Sequence, residues 1–337
     1  MSDSPQDSER NGHITTEEIA LYDRQIRLWG LDAQQRMRGS AILLIGCQGL
    51  TLETAKNLVL AGVGSLVIAA DATVEQMDVE VQFYVGQQDI GKVWSAVVAK
   101  KLKVLNPRVE IRTVAESGID DELLSASSVV ACVGQPIDKQ TLFNDKCREL
   151  GTKFLAADCF GMFGYIFCDF IRHTYIEERK EVPTTNKDEV KTVKETKTQT
   201  FVPLRDAFKA RFDGMGGRKL RRMLSPLLVG YQALWAFEQE HKRRPAPSVD
   251  LDELKRVLDT VCERGAIPRD FVEPELLERI CNNARLEYPP ANAVMGGMLA
   301  QEILKAVTAK ESPFTNFFLF DAANNEGTVN YLAPPTP

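Results

Sequence analysis

The stretch AILLIGCQGLTLETAKNLVLAGVGSLVIAAD, residues 41–71, decides how this chain is read. AILLIG (41–46) is a continuous apolar run, too short for a helix and suited to a strand buried on both faces. TLETAKNLVLAG (51–62) has helical spacing and stops at Gly62, the residue type that tolerates a left-handed helix end. SLVIAAD (65–71) is a second buried run, ending on Asp71. Strand, tight turn, helix and strand in about 30 residues make a βαβ unit.

The pattern repeats outward. GKVWSAVVAKKLKVLNP (91–107) reads as a helix stopped before Pro107, VEIRTV (109–114) as a third strand and SSVVACVG (127–134) as a fourth. A helix over 138–150 leads to KFLAAD (153–158), a fifth strand, and MFGYIFCDFI (162–171) is an added strand, set antiparallel. MGGMLAQEILKAV (295–307) is a later helix, and NFFLFD (316–321) and GTVNYL (327–332) form a strand pair. Alternating strands and helices with short links predict an α/β fold, a doubly wound and mostly parallel sheet. Upstream, Thr15 or Thr16 caps a helix with Glu17 and Glu18 in its first turn. It runs to about Ser40 with an interruption at Gly30, and Ile19, Tyr22, Ile26 and Trp29 make one apolar face.

Two stretches depart from this pattern. In residues 177–200 six acidic and six basic residues surround three valines, so a mobile charged loop is expected. Residues 201–286 are helical in pattern and read as a small insertion. The expected organisation is a disordered tail (1–14), a discontinuous α/β domain (15–176 and 287–337), the charged loop (177–200) and the helical insertion (201–286).

Composition removes several function classes. Of 337 residues, 41 are Lys or Arg and 47 Asp or Glu, and a net charge of −6 argues against nucleic acid or an anionic membrane as a bulk partner. The longest apolar stretch (154–171) carries Asp158, Asp169 and two glycines, so no membrane span is expected. The polar N-terminus lacks the apolar core of a signal peptide, which points to an intracellular chain. Seven cysteines, at 47, 132, 147, 159, 168, 262 and 281, form no C-x-x-C pair. They read as reduced thiols, with no zinc site. The three histidines lie far apart and support no metal site or catalytic triad.

The turn after the first strand is Gly46-Cys47-Gln48-Gly49-Leu50-Thr51. A phosphate-binding G-x-G-x-x-G turn needs glycine at 46, 48 and 51, where this chain has Gly46, Gln48 and Thr51. Asp71 is placed either to hold a ribose hydroxyl or to cap the next turn. Lys92 is either a point charge for a phosphate or a solvated lysine. In LYDRQIRLWG (21–30), Arg24 and Arg27 sit three apart on a helix beside the apolar face. They are either forks for phosphate oxygens or surface arginines. RKLRR (218–222) and HKRR (241–244) are short basic runs, either solvated helix faces or a nuclear import signal.

LYDRQIRLWG, the strand and the GCQGLTLETAKNLVLAGVGSL segment after it, VMGGMLAQEILKAV and NFFLFD together resemble the activating enzymes of ubiquitin-like proteins. Their adenylation fold, shared with ThiF- and MoeB-like proteins, is a dimer of Rossmann-like halves. Length and arrangement point to the smaller subunits of the SUMO-activating heterodimers. The resemblance implies ATP- and Mg-dependent adenylation of the modifier's C-terminus and thioester transfer to a cysteine. Both steps belong to the larger partner subunit, with the SUMO-conjugating enzyme downstream. It also implies a pseudo-active half here. The glycine-rich turn is GCQGLT, the Asn-x-x-Arg-Gln element is replaced by MDVEVQFYV with only Gln82 kept, and Cys132-Val133-Gly134-Gln135 stands where a C-T-D-N-like turn is usual. The paired CxxC zinc ligands are missing. One role transfers: Arg24 of Y-D-R-Q is expected to reach the ATP phosphates in the partner's site. Location is expected in the nucleus, with some chain in the cytoplasm. The rivals are the regulatory subunit of the NEDD8-activating enzyme, a stand-alone NAD-dependent oxidoreductase and a lone sulfur-carrier adenylating enzyme.

Overall fold

The computed structural model describes residues 14–181 and 191–334. Its helices and strands, in chain order, are α1 (Thr16–Leu21), α2 (Asp23–Trp29), α3 (Leu31–Arg38), β1 (Ala41–Ile45), α4 (Gly49–Ala61), β2 (Ser65–Ala69), α5 (Gln76–Val81), α6 (Trp94–Leu105), β3 (Glu110–Val114), α7 (Asp121–Ala126), β4 (Val129–Val133), α8 (Ile137–Leu150), β5 (Lys153–Phe160), β6 (Phe163–Asp169), β7 (Arg172–Glu181), β8 (Lys191–Thr200), α9 (Leu204–Ala207), α10 (Gly217–Met223), α11 (Pro226–His241), α12 (Leu251–Gly265), α13 (Pro274–Asn283), α14 (Pro289–Thr308), β9 (Phe317–Asp321) and β10 (Glu326–Asn330).

Eight strands make one sheet in the order β10-β9-β6-β5-β4-β1-β2-β3. β5, β4, β1, β2 and β3 run parallel, and β6, β9 and β10 extend the sheet antiparallel, as the sequence predicts. The two-residue period of the strands sorts their side chains onto two faces. Ile42, Leu44, Leu66, Ile68 and Val129 face α4, α6 and α14, whereas Leu43, Ile45, Val67, Val130 and Cys132 face α8 and the helical insertion. Both faces are buried, hence the continuous apolar runs. The insertion adds to the second face rather than folding apart from it. Tyr165 of β6 meets Tyr231 and Trp235 of α11 edge-on, each at 5.0 Å between ring centres. Strand order reverses between β1 and β4, the place where doubly wound sheets leave a crevice.

Three expectations change. The N-terminal helix is three short helices, broken at Tyr22 and again at Gly30, whose φ is +89°. The last helix begins at Pro289 rather than Met295, with proline filling positions whose amides have no helical acceptor. The segment expected as a mobile charged loop is instead, over its described residues, two antiparallel strands paired from Arg172↔Thr200 to Glu181↔Lys191. Backbone pairing and cross-strand charges replace a core of its own. Lys194 meets Glu178 at 3.0 Å, and Lys197 pairs with Glu177. The base is stitched to the end of α14, where Ile176 N–H donates to the Ala309 carbonyl at 3.0 Å and Glu311 N–H to the Ile176 carbonyl at 3.1 Å. The expected tail, Ile14 apart, lies outside the described residues.

Candidate functional site

The crevice between β1 and β4 is bounded by the Gly46–Gly49 turn, the Gly134–Gln135 turn and the start of α14. Gln48 is the cap residue of α4, and its side chain lies over Gly134 in hard contact with where a Cβ would stand. The first amide of α4 is already used: Gly49 N–H donates to Glu287 Oε2 at 3.0 Å, and Asn292 Nδ2 donates to the same oxygen at 3.1 Å. Burial pushes the Glu287 carboxyl above its ordinary range, and Asp78 and Asp158 push the same way, against the hydrogen bonds from Gly49 and Asn292. The Cys47 thiol beside it is pushed up to about 11, first by burial and then by Asp78, Glu116, Glu287 and Glu75. Four carboxylates therefore act on the Cys47 thiol in this turn. The residues present do not fit the phosphates of ATP: the Gln48 side chain covers Gly134, and a carboxylate takes the helix amide.

The weaker candidates have structural employment. Asp71 accepts from Glu116 N–H at 3.1 and 3.2 Å and caps the turn after β3. Lys92 precedes α6 instead of starting it, and pairs with Asp89 at 3.1 Å, which also takes Lys101 at 2.9 Å. Of the basic runs, HKRR is bound into the fold. Arg243 pairs with Asp250, and half-buried Arg244 pairs with Asp158 and Glu238. RKLRR lies on α10 with Arg218, Lys219, Arg221 and Arg222 exposed.

The N-terminal helices are held firmly but present an open face. Thr15 and Glu18 form a reciprocal cap at 3.2 and 3.0 Å, and buried Glu18 also pairs with Arg38 at 3.0 Å. Tyr22, 6% exposed, drives its ring against Gly62, whose φ of +79° ends α4. The Tyr22 hydroxyl accepts from Asn106 Nδ2 at 2.7 Å. Ile26 and Trp29 are half-buried, but Ile19 is exposed, so the apolar face is narrower than the spacing predicts. On α2, Arg27 pairs with Asp23 at 3.0 Å. Arg24 is exposed and makes no ion pair or side-chain hydrogen bond among the described residues. Leu21 and Leu28 beside it are also exposed, Leu28 by 71%. Arg24 thus follows a tyrosine docked at the C-terminal end of α4, while the crevice lies at its N-terminal end. Thirteen helical residues separate the two by about 20 Å. Arg24 therefore lies away from the crevice of its own chain.

Sequence reasoning missed Glu287, and it placed Tyr22 on an apolar face without its docking against Gly62 and Asn106. Gln48 was visible only as a missing glycine. Glu287 is brought to the turn from 238 residues away, and no local pattern announces that. Six cysteines are buried and Cys47 is half-buried. Burial raises the thiols of Cys147 and Cys262 to about 12 and about 11. Among the described residues, Glu240, His241 and Glu253 come close enough to hold an ion. Arg256 is paired with both carboxylates, at 2.6 and 2.7 Å.

Residues 22–336 match the ThiF family, and the chain belongs to that family. Within it, the chain is 33% identical to the DNA damage tolerance protein rad31 of Schizosaccharomyces pombe, over 96% of this chain and 99% of that one. It is 32% identical to SUMO-activating enzyme subunit 1 of Homo sapiens, over 97% and 98% of the two chains. It is 31% identical to the subunit of that name in Xenopus tropicalis, over 95% and 97%. Among solved structures, Escherichia coli MccB has the same fold, with a TM-score of 0.55 at 11% identity, over 93% of this chain and 72% of that chain.

Proposed function

We propose that this chain is the smaller, non-adenylating subunit of a SUMO-activating heterodimer. In this reading the larger partner holds ATP, magnesium and the acceptor cysteine, and SUMO is the modifier activated. This chain completes the partner's site with Arg24. One contrast carries the reading: the chain's own crevice is filled and acidic, whereas Arg24 stands exposed at the other end of α4, unpaired among the described residues. A guanidinium placed beside phosphates offsets charge that grows there as the reaction proceeds. The near end-to-end match to relatives of this size supports the SUMO reading over the NEDD8 one, whose regulatory subunit carries a larger insertion. An NAD-dependent oxidoreductase loses its support, because Asp71 caps a turn and Gln48 covers Gly134. Work in the nucleus is part of the proposal, and the exposed RKLRR run supports it.

ATP–pyrophosphate exchange in the presence of SUMO tests the division of labour. The purified chain is expected to give no exchange alone, and exchange appears on addition of the larger subunit. Robust exchange by the chain alone overturns the proposal.

A further inference from the structure

We infer that the N-terminus of α4 is an anion site which this chain fills with its own Glu287 carboxylate, so the crevice is closed from within. Glu287 lies in the link between α13 and α14, which Gly161 N–H pins by donating to the Leu286 carbonyl at 2.7 Å. From there its Oε2 accepts from Gly49 N–H and Asn292 Nδ2. The first amides of a helix lack helical acceptors and carry part of the helix's positive end, the combination that holds phosphate or carboxylate. Gly49 is fitted to this guest. A Cβ there would stand 2.6 Å from Glu287 Oε2 and 2.5 Å from Asn292 Nδ2. The glycine retained in the turn therefore admits an internal carboxylate.

A second observation marks the place as a binding site rather than a helix end alone. Thr51 Oγ1, of a fully buried residue, has no hydrogen-bond partner among the described residues. The Thr51 hydroxyl lies beside Gly46, 3.3 Å from where a Cβ would stand. A hydroxyl can turn its donor toward an anion. With Glu287 withdrawn, the Gly49 amide, Asn292 Nδ2 and the Thr51 hydroxyl are donors without a guest. The ligand class that matches them is a small phosphate or pyrophosphate anion.

The test uses the full chain alone, without partner or SUMO, so it stands apart from the subunit assignment. Inorganic pyrophosphate is titrated calorimetrically into wild type, Glu287→Ala and Glu287→Gln. Wild type and Glu287→Gln are expected to show no binding at millimolar pyrophosphate, since glutamine keeps the plug and can accept from Gly49. Glu287→Ala is expected to bind at least about tenfold more tightly, because an internal competitor lowers apparent affinity by the fraction of sites left open. A folded Glu287→Ala chain binding no better than wild type overturns the inference. Should that variant fail to fold, wild type decides. Its Gly49 amide is expected to be protected from hydrogen exchange in residue-resolved NMR, and exchange at the rate of an unprotected amide overturns the inference equally.

Discussion

Arg24 and Arg27 share one helix and differ in their partners: Arg27 is tied to Asp23, and Arg24 is not tied to anything described. That difference, invisible in the spacing, separates a surface ion pair from a side chain available to another molecule. Cys47 shows the same logic in reverse. It is the most accessible thiol and sits beside the degenerate turn, yet burial and four carboxylates hold it as a thiol. A nucleophile needs the thiolate. Cys47→Ser is expected to leave the rate of SUMO thioester formation by the heterodimer within about twofold of wild type, since no transition-state contact is removed. A folded Cys47→Ser heterodimer that forms adenylate but no thioester would contradict this. At this scale the sequence was legible where chemistry is local: glycine is missing at 48, and the structure lays the Gln48 side chain over Gly134. It was illegible where a distant residue decides the matter, as Glu287 does for Gly49.

At the scale of elements, what positions Arg24 is the docking of α2 onto the C-terminal end of α4 through Tyr22, Gly62 and Asn106. Tyr22→Phe keeps the ring and removes one hydrogen bond, so about 1 kcal/mol of stability should be lost, with adenylation little changed. Tyr22→Ala removes a buried ring, with an expected loss of about 3–5 kcal/mol, and frees α2. Denaturant unfolding and single-turnover adenylation check both. The adenylation rate of Tyr22→Ala should fall under conditions where the chain remains folded, although Arg24 is untouched. An unchanged rate would mean that Tyr22 does not position α2. The strands, their order and the added antiparallel edge were readable because continuous apolar runs and helical spacing report burial directly. The paired strands β7 and β8 were not. Their stability comes from backbone pairing and cross-strand charges, and an apolar count is blind to both. The breaks at Tyr22 and Gly30 were half-readable, since glycine signals a break and a docked tyrosine does not.

For the whole molecule, pH acts through buried groups of opposite sense. His173, at the base of β7, packs edge-on to Phe170 and stacks with Tyr175. Burial lowers its pKa to about 4, Lys153 adds to the shift, and a hydrogen bond to the Lys305 backbone opposes it. A histidine whose folded pKa is depressed stabilises the fold above its unfolded pKa, and that contribution is lost as pH falls from about 6.5 toward the folded value. Glu287, Glu302 and Glu238, raised chiefly by burial, act oppositely, costing stability as pH rises through the acid range. His173→Phe, which also removes a buried ring nitrogen without a described partner, should therefore flatten the acid limb between pH 6.5 and 4. The slope removed approaches about 1.4 kcal/mol per pH unit. Identical pH–stability slopes for wild type and His173→Phe would contradict this. In the proposed assembly, one half has closed its own nucleotide crevice and lends Arg24 to the other. This is tested most directly by single-turnover formation of the SUMO adenylate in the heterodimer carrying Arg24→Ala, with Arg24→Lys and Arg27→Ala beside it. The account predicts a fall on the order of 100- to 1000-fold for Arg24→Ala, with assembly and melting temperature unchanged. Arg24→Lys should recover part of the rate, since an ammonium lacks the two-pronged contact, and Arg27→Ala should cost little. Adenylate formed by Arg24→Ala at the wild-type rate would contradict it.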